Sequence, residues 1–294
     1  MPGTRRWLVP LLAGIGLWSA ALPASGQALL PHAAEFEPQK LRQQGLALAQ
    51  QAVRLVQRDH VDLARSRAEL ATELAPDRFQ PWFVLGRLQL ADGNPAASVE
   101  SLQKARELAP QKANVLFALG SAQFQQENYQ AAIAALQQGL EQQPESPEAL
   151  FDLGNAQLEL GRYEQAIATY ERALEFKAEF WPAINNIGLA EYERGNRQAA
   201  IARWQAALDI DANQAEPQLA IAVARYQQDQ QDKALTLAQQ ALQRDARYAD
   251  PAYLQKNLWG QRLLAHTRAL FAEPQLQALR GRLQSPEASS SGQS

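Results

Sequence analysis

An all-α fold, a right-handed superhelical α-solenoid of about six helix pairs closed by a C-terminal capping helix, follows from three features of the sequence. The stretch LFDLGNAQLELGRYEQAIATYERALEFKA, starting at Leu150, has counterparts every 34 residues, starting at Trp82, Leu116 and Ile184, with no insertion to break the register. Small residues recur at fixed places in that frame. Each unit also reads as two amphipathic segments around a turn, and neither segment can bury its apolar face alone. A neighbouring unit must cover it, and repetition then builds a continuous core.

Along the chain, residues 1–26 come first and differ from the rest. Arg5 and Arg6 precede the apolar run Trp7–Leu22, and Ala24-Ser25-Gly26 resembles a small-residue cleavage site. At 16 residues the run is shorter than the roughly 20 of a spanning helix. It therefore reads as an export signal, with an N-terminal membrane anchor as the alternative, and the arginine pair suits a general or a twin-arginine signal. Residues 27–44, with Pro31 and Pro38, read as a linker and a leading helix turn.

Six units then fill residues 45–248. The eighth repeat position holds Ala52, Gly86, Gly120, Gly154, Gly188 and Ala222. The twentieth holds Ala64, Ser98, Ala132, Ala166, Ala200 and Ala234, and the twenty-seventh Ala71, Ala105, Gly139, Ala173, Ala207 and Ala241. Small side chains suit places where helices approach closely, because a larger residue would overpack the contact at a cost of roughly 1–3 kcal/mol. Bulkier residues such as Leu119, Leu153, Leu136, Tyr170 and Trp204 fill the space between, each contributing roughly 1.5–3 kcal/mol when buried.

The turns fit the same frame. Asp92-Gly93-Asn94, Glu127-Asn128, Gly161-Arg162 and Gly195-Asn196 fall between paired helices, where Gly and Asn tolerate a left-handed backbone. Pro76, Pro110 and Pro144 stop the second helices of the first three units. Ala178, Ala212 and Ala246 stand there in the later units, so looser or more continuous boundaries are expected. Residues 249–284 leave the period but keep an apolar stripe through Leu254, Leu258, Leu263 and Leu264, which predicts capping helices, one of them from Gln275 to Leu283. The polar stretch 285–294 is expected to be disordered.

The repeated residues resemble the tetratricopeptide repeat family over about two thirds of the chain. The later units, with NLWGQRLL beyond them, are similar in style to cyanobacterial and chloroplast members. The resemblance implies a right-handed superhelix whose first helices line a concave groove, and a location in the periplasm or thylakoid lumen. It also implies that groove residues stand at the second, fifth, ninth, twelfth and thirteenth positions. Positions five, nine and twelve share a helix face, so Phe83, Phe117 and Phe151 are expected to form a ladder with Leu90, Phe124 and Leu158 beside it. Arg87, Tyr192 and Tyr226 complete the predicted wall. Asn155 and Asn186 match family asparagines that clamp a bound peptide, or else tie neighbouring helices together. Phe151, Glu216 and Ala220 stand where a carboxylate clamp needs basic residues, so that form of recognition is excluded.

Chemistry is sparse. With 28 Lys and Arg against 31 Asp and Glu and a net charge of −3, the chain lacks the basic field of a nucleic-acid binder. There is no cysteine, so thiolate metal sites and cysteine nucleophiles are excluded. His32, His60 and His266 lie far apart and form no triad or metal spacing. No catalytic residue, cofactor site or metal set is predicted. Glu148, Glu159, Glu193 and Glu216 make the later groove acidic, which predicts a partner segment that is apolar with basic residues.

The expected function is a non-enzymatic scaffold or assembly factor that binds a polypeptide segment, for a photosynthetic or other membrane complex. The alternatives are a cell-envelope or secretion scaffold, or a divalent-metal-binding accessory protein using the acidic carboxylates.

Overall fold

The computed structural model describes residues 37–283, which from Pro38 onward lie within one compact unit. The export-like stretch 1–26, most of the linker and the polar tail 285–294 lie outside the described residues. Fifteen α-helices account for the described fold, with no strand among the described residues. Twelve of them are the six pairs: α1 (Pro38–Val56) and α2 (Val61–Leu74), α3 (Phe79–Ala91) and α4 (Pro95–Leu108), α5 (Ala113–Gln125) and α6 (Tyr129–Gln142), α7 (Pro147–Glu159) and α8 (Tyr163–Phe176), α9 (Trp181–Arg194) and α10 (Arg197–Ile210), α11 (Ala215–Tyr226) and α12 (Gln231–Arg244). Each second helix packs on its own partner and on the first helix of the next pair, which is the nearest-neighbour pattern of a solenoid.

Close packing explains the small residues. A Cβ built on Gly188 would lie 2.4 Å from Nε1 of Trp204, whose ring rests on that glycine. Trp204 is fully buried, and its indole N–H donates to the Asn185 carbonyl at 3.1 Å. In the pair before, Tyr170 covers Gly154 in the same way.

The turns divide the work between two residues. Gly93, Gly161 and Gly195 take the left-handed backbone, as does Glu127 in the third pair, whereas Asn128 has φ −83°. Asn94, Asn128 and Asn196 are instead the N-caps of their second helices, a place Arg162 takes in the fourth pair, and Asn94 accepts from the Ala97 N–H at 3.2 Å. The expectation of looser later boundaries is overturned. α8, α10 and α12 stop at Phe176, Ile210 and Arg244, in register with α2, α4 and α6. Each of the six ends in an extended-φ residue whose N–H bonds back into the last turn. Packing of the next unit, and not proline, sets where these helices end.

After α12 a 3-10 turn (Ala246–Ala249) leads into α13 (Pro251–Lys256), α14 (Gln261–Phe271) and α15 (Pro274–Leu283). The predicted stripe is thus split, with Leu258 in a left-handed conformation (φ 65°) and Gly260 starting α14. α15 packs on α12 and closes the end of the array, whereas α14 packs on α9 and α11. Leu254, Trp259, Leu263, Leu270 and Leu276 from this segment join the core cluster of the last units. No helix among the described residues is long and apolar enough to cross a membrane.

Candidate functional site

The first helices α3, α5, α7, α9 and α11 carry all the predicted groove residues, and the structure sorts them into three groups. At the N-terminal end, Phe83 and Arg87 line an open cavity of about 320 Å³ together with Val53, Val56, Val84 and Leu88. Arg87 is exposed and its guanidinium stands 5.8 Å from the centre of the Phe83 ring. Val53 and Val56 are 45% and 43% exposed, unusual for branched apolar side chains side by side on one helix. Leu90 is half-buried against the core of the second and third pairs. Val53 stands at the ninth position, 34 residues before Arg87, but was not among the predicted groove residues, and Val84 at the sixth position lies off the face defined by positions five, nine and twelve.

In the middle, the predicted ladder is not formed. Phe117 lies on α6, where a Cβ on Gly139 would come within 2.5 Å of its ring, so its ring packs inside its own pair. Phe151 packs against Tyr170 and Phe180, with centroids 5.9 and 5.1 Å away. Phe124 sits beside Tyr129 at 5.3 Å. Each of these three rings packs on an aromatic or glycine neighbour.

At the C-terminal end three predicted groove residues are corrected. Leu158 is 6% and Tyr192 1% exposed, so neither lines an open wall. For Tyr192 the cause is the returning segment: α14 covers α9, and the Tyr192 hydroxyl meets Nδ1 of His266 at 2.7 Å, while Leu158 joins the core cluster that includes Trp259. Burial pushes the Tyr192 phenol up to about 12, and lowers His266 from the ordinary histidine range. Tyr226 donates its hydroxyl proton to Glu273, just ahead of α15, and so belongs to the cap contact as well.

The acidic half is also occupied. Glu193 accepts from the Arg262 and Leu263 N–H groups at 3.1 and 2.9 Å, capping the start of α14 where Gly260 has no side chain to do so. A Cβ on Gly260 would lie 2.3 Å from the Glu193 carboxyl carbon, so a side chain there would push this carboxylate off its cap. Glu148 pairs with Lys177. Glu216 is buried and accepts from Trp259 Nε1 at 3.0 Å. Three of the four carboxylates named as a metal site therefore point to separate partners, and no metal-capable cluster occurs among the described residues.

The asparagines tie helices together. Asn155 Oδ1 accepts from Asn186 Nδ2 at 2.9 Å and from the Tyr170 hydroxyl at 2.8 Å, linking α7, α8 and α9. Asn186 in turn accepts from Asn185 Nδ2 at 3.1 Å. These side chains border a second cavity of about 330 Å³, lined also by Phe124, Phe151, Trp181, Glu216, Tyr248 and Leu258, where the returning segment meets the middle of the groove. Sequence reading missed Trp181, Tyr248 and Trp259 because they lie outside the five groove positions. The run LAIAVA (Leu219–Ala224) was the available signal, since a helix apolar on all sides needs a cover.

Comparison with known proteins agrees with the helix pairs. The tetratricopeptide repeat family model matches residues 47–113 and 117–182. No curated protein matches the sequence. Among solved structures, MamA is similar at 28% identity over 55% of this chain and 94% of its own, with a TM-score of 0.52. PilF of Pseudomonas aeruginosa shares the fold at 18% identity over 74% of this chain and 97% of its own, TM-score 0.60. YrrB, described as a TPR protein with an unusual peptide-binding site, shares it at 18% identity over 59% and 90%, TM-score 0.52.

Proposed function

Since residues 47–182 belong to the tetratricopeptide repeat family and the helix pairs beyond them continue its fold, we propose that this chain is a non-enzymatic scaffold holding a polypeptide segment in the N-terminal half of its groove. The observation that carries the reading is the open cleft of Val53, Val56, Phe83 and Arg87. Apolar side chains left in water along a helix pair are a liability unless something covers them, and an amphipathic segment laid into a groove does so. In the C-terminal half the chain's own α14 lies on α9 and α11.

The setting we propose is an exported one, in the periplasm or thylakoid lumen, where the scaffold assists assembly of a photosynthetic or other membrane complex. Support for that setting is the stretch 1–26, with its paired arginines and apolar run.

A photo-cross-linking amino acid at Val56 or at exposed Gln137, the latter on the second helix α6, tests the reading against a panel of amphipathic peptides. Cross-links formed from Val56 and not from Gln137 support it. Equal yields from both positions, or none from Val56, reject the groove.

A further inference from the structure

Asn185, which borders the cavity between the middle of the groove and the returning segment, carries an acceptor with nothing to accept from. Asn185 is 1% exposed, and its Oδ1 is the buried side-chain atom without a hydrogen-bond partner among the described residues. Its amide nitrogen serves Asn186 and Glu216, so rotating the group would turn its oxygen onto two other acceptors. Such a group costs free energy comparable to a lost hydrogen bond, and an orphan of this kind calls for a donor.

Beside it lies Glu216. None of the groups acting on this buried carboxyl is positively charged: Trp259, Asn185 and Tyr248 supply hydrogen bonds, and burial pushes it up to about 7. Above that pH a full negative charge stands in the cavity wall without a counter-ion. The remaining wall includes Phe151 and Trp181, half-buried aromatic side chains. An orphan acceptor, an uncompensated carboxylate and aromatic faces together suit one ligand chemistry, a cation that carries N–H donors.

We propose that this cavity is a binding site for a basic side chain, a guanidinium or ammonium group, donated by the polypeptide that lies in the groove. The proposal deepens the groove reading and rests on it. The volume of about 330 Å³ is ample for one such side chain. Lys256 borders the same cavity, yet it is exposed and bonds to neither Asn185 nor Glu216. It is the internal competitor that an incoming basic residue must displace or avoid.

The test uses the full chain at pH 8 and three probes: N-acetyl-arginine methylamide, N-acetyl-lysine methylamide and the uncharged N-acetyl-norleucine methylamide. Binding is read from NMR signals of the Asn185 side-chain amide and the Trp181 and Trp259 indoles. The two cationic probes are expected to shift these signals saturably, and the norleucine probe to leave them in place. Glu216→Gln, which keeps an acceptor for Trp259, is expected to weaken the cationic probes about tenfold, the scale of one hydrogen bond to a charged group. Equal shifts with norleucine overturn the cation preference. No shift with any probe means that the cavity holds only water and overturns the site. The three-probe comparison on the unaltered chain stands whether or not the variant folds. Failure here with cross-links still formed at Val56 removes the cation site and leaves the groove. Loss of the Val56 cross-links with arginine still bound removes the groove reading, leaving a pocket for small cations.

Discussion

The first helices of the second and third pairs and those of the fifth and sixth occupy the same repeat positions but have different surroundings. In α5, Asn114 and Gln125 are exposed and Phe117 is half-buried. In α9 every residue from Ala183 to Ala190 is buried, and in α11 every residue from Ala215 to Ala224. The repeat frame sets which helix meets which, while a segment outside the frame decides whether the concave side meets water. Half of the groove is open to a partner, and the other half already holds a partner from its own chain.

The largest effect should come from removing the plug's anchor. Trp259→Ala leaves a cavity at a site 2% exposed and takes a hydrogen bond from a buried carboxylate, a change expected to cost about 3–5 kcal/mol. Because repeats couple mainly to neighbours, hydrogen exchange should speed up in α9, α11 and α14 and stay unchanged in α3 to α6. A uniform loss of protection along the array would break the division into halves.

Next in size is a pH effect. Glu216 titrates near 4.5 in the unfolded chain and near 7 when folded. Between those values the folded state keeps a proton that the unfolded state has released. This contribution is therefore complete below 4.5 and lost as pH rises through 7. From pH 5.5 to 8 the native chain should lose about 2 kcal/mol relative to Glu216→Gln, the product of 1.5 pH units and the linkage slope. Urea unfolding of both chains at the two pH values measures it, and a constant difference would mean that the carboxyl is not sealed by the returning segment.

How much of this was legible in the sequence follows from the same division. The pairs were readable because packing at Gly154, Gly188 and Ala222 repeats the same steric demand at one period, and periodic demand leaves a periodic trace. Arg87 and Phe83 were assigned to the groove by the positions that the family resemblance implies, which helix geometry puts on one face. Tyr192 and Leu158 were misplaced because their positions are those of a groove wall, and what covers them is a non-repeating segment whose docking leaves no period. Glu193 shows the limit most clearly. On α9 it reads as one surface carboxylate among several, and only the arrival of Gly260 and the bare N–H groups of α14 makes it a helix cap.

That cap supplies a smaller, sharper test. Glu193→Ala should cost about 1 kcal/mol, the usual effect of a lost N-cap, and show first as faster exchange at the Arg262 and Leu263 amides. An effect spread over α3 and α5 instead would place Glu193 in the open half.

The smallest effect on stability is expected where the comparison is most exposed to refutation. Val53 and Val56 already face solvent, so Val53→Ser with Val56→Ser removes little burial, and thermal unfolding should move by no more than about 0.5 kcal/mol. The same pair should nonetheless weaken any peptide that cross-links at Phe83, because the apolar area it would cover is gone. Stability and binding then separate in the N-terminal half, whereas in Trp259→Ala they cannot, since there the bound segment and the fold are one chain. If the valine pair destabilises the protein as much as the tryptophan does, something in the chain already covers the first cleft, and both halves of the groove are filled.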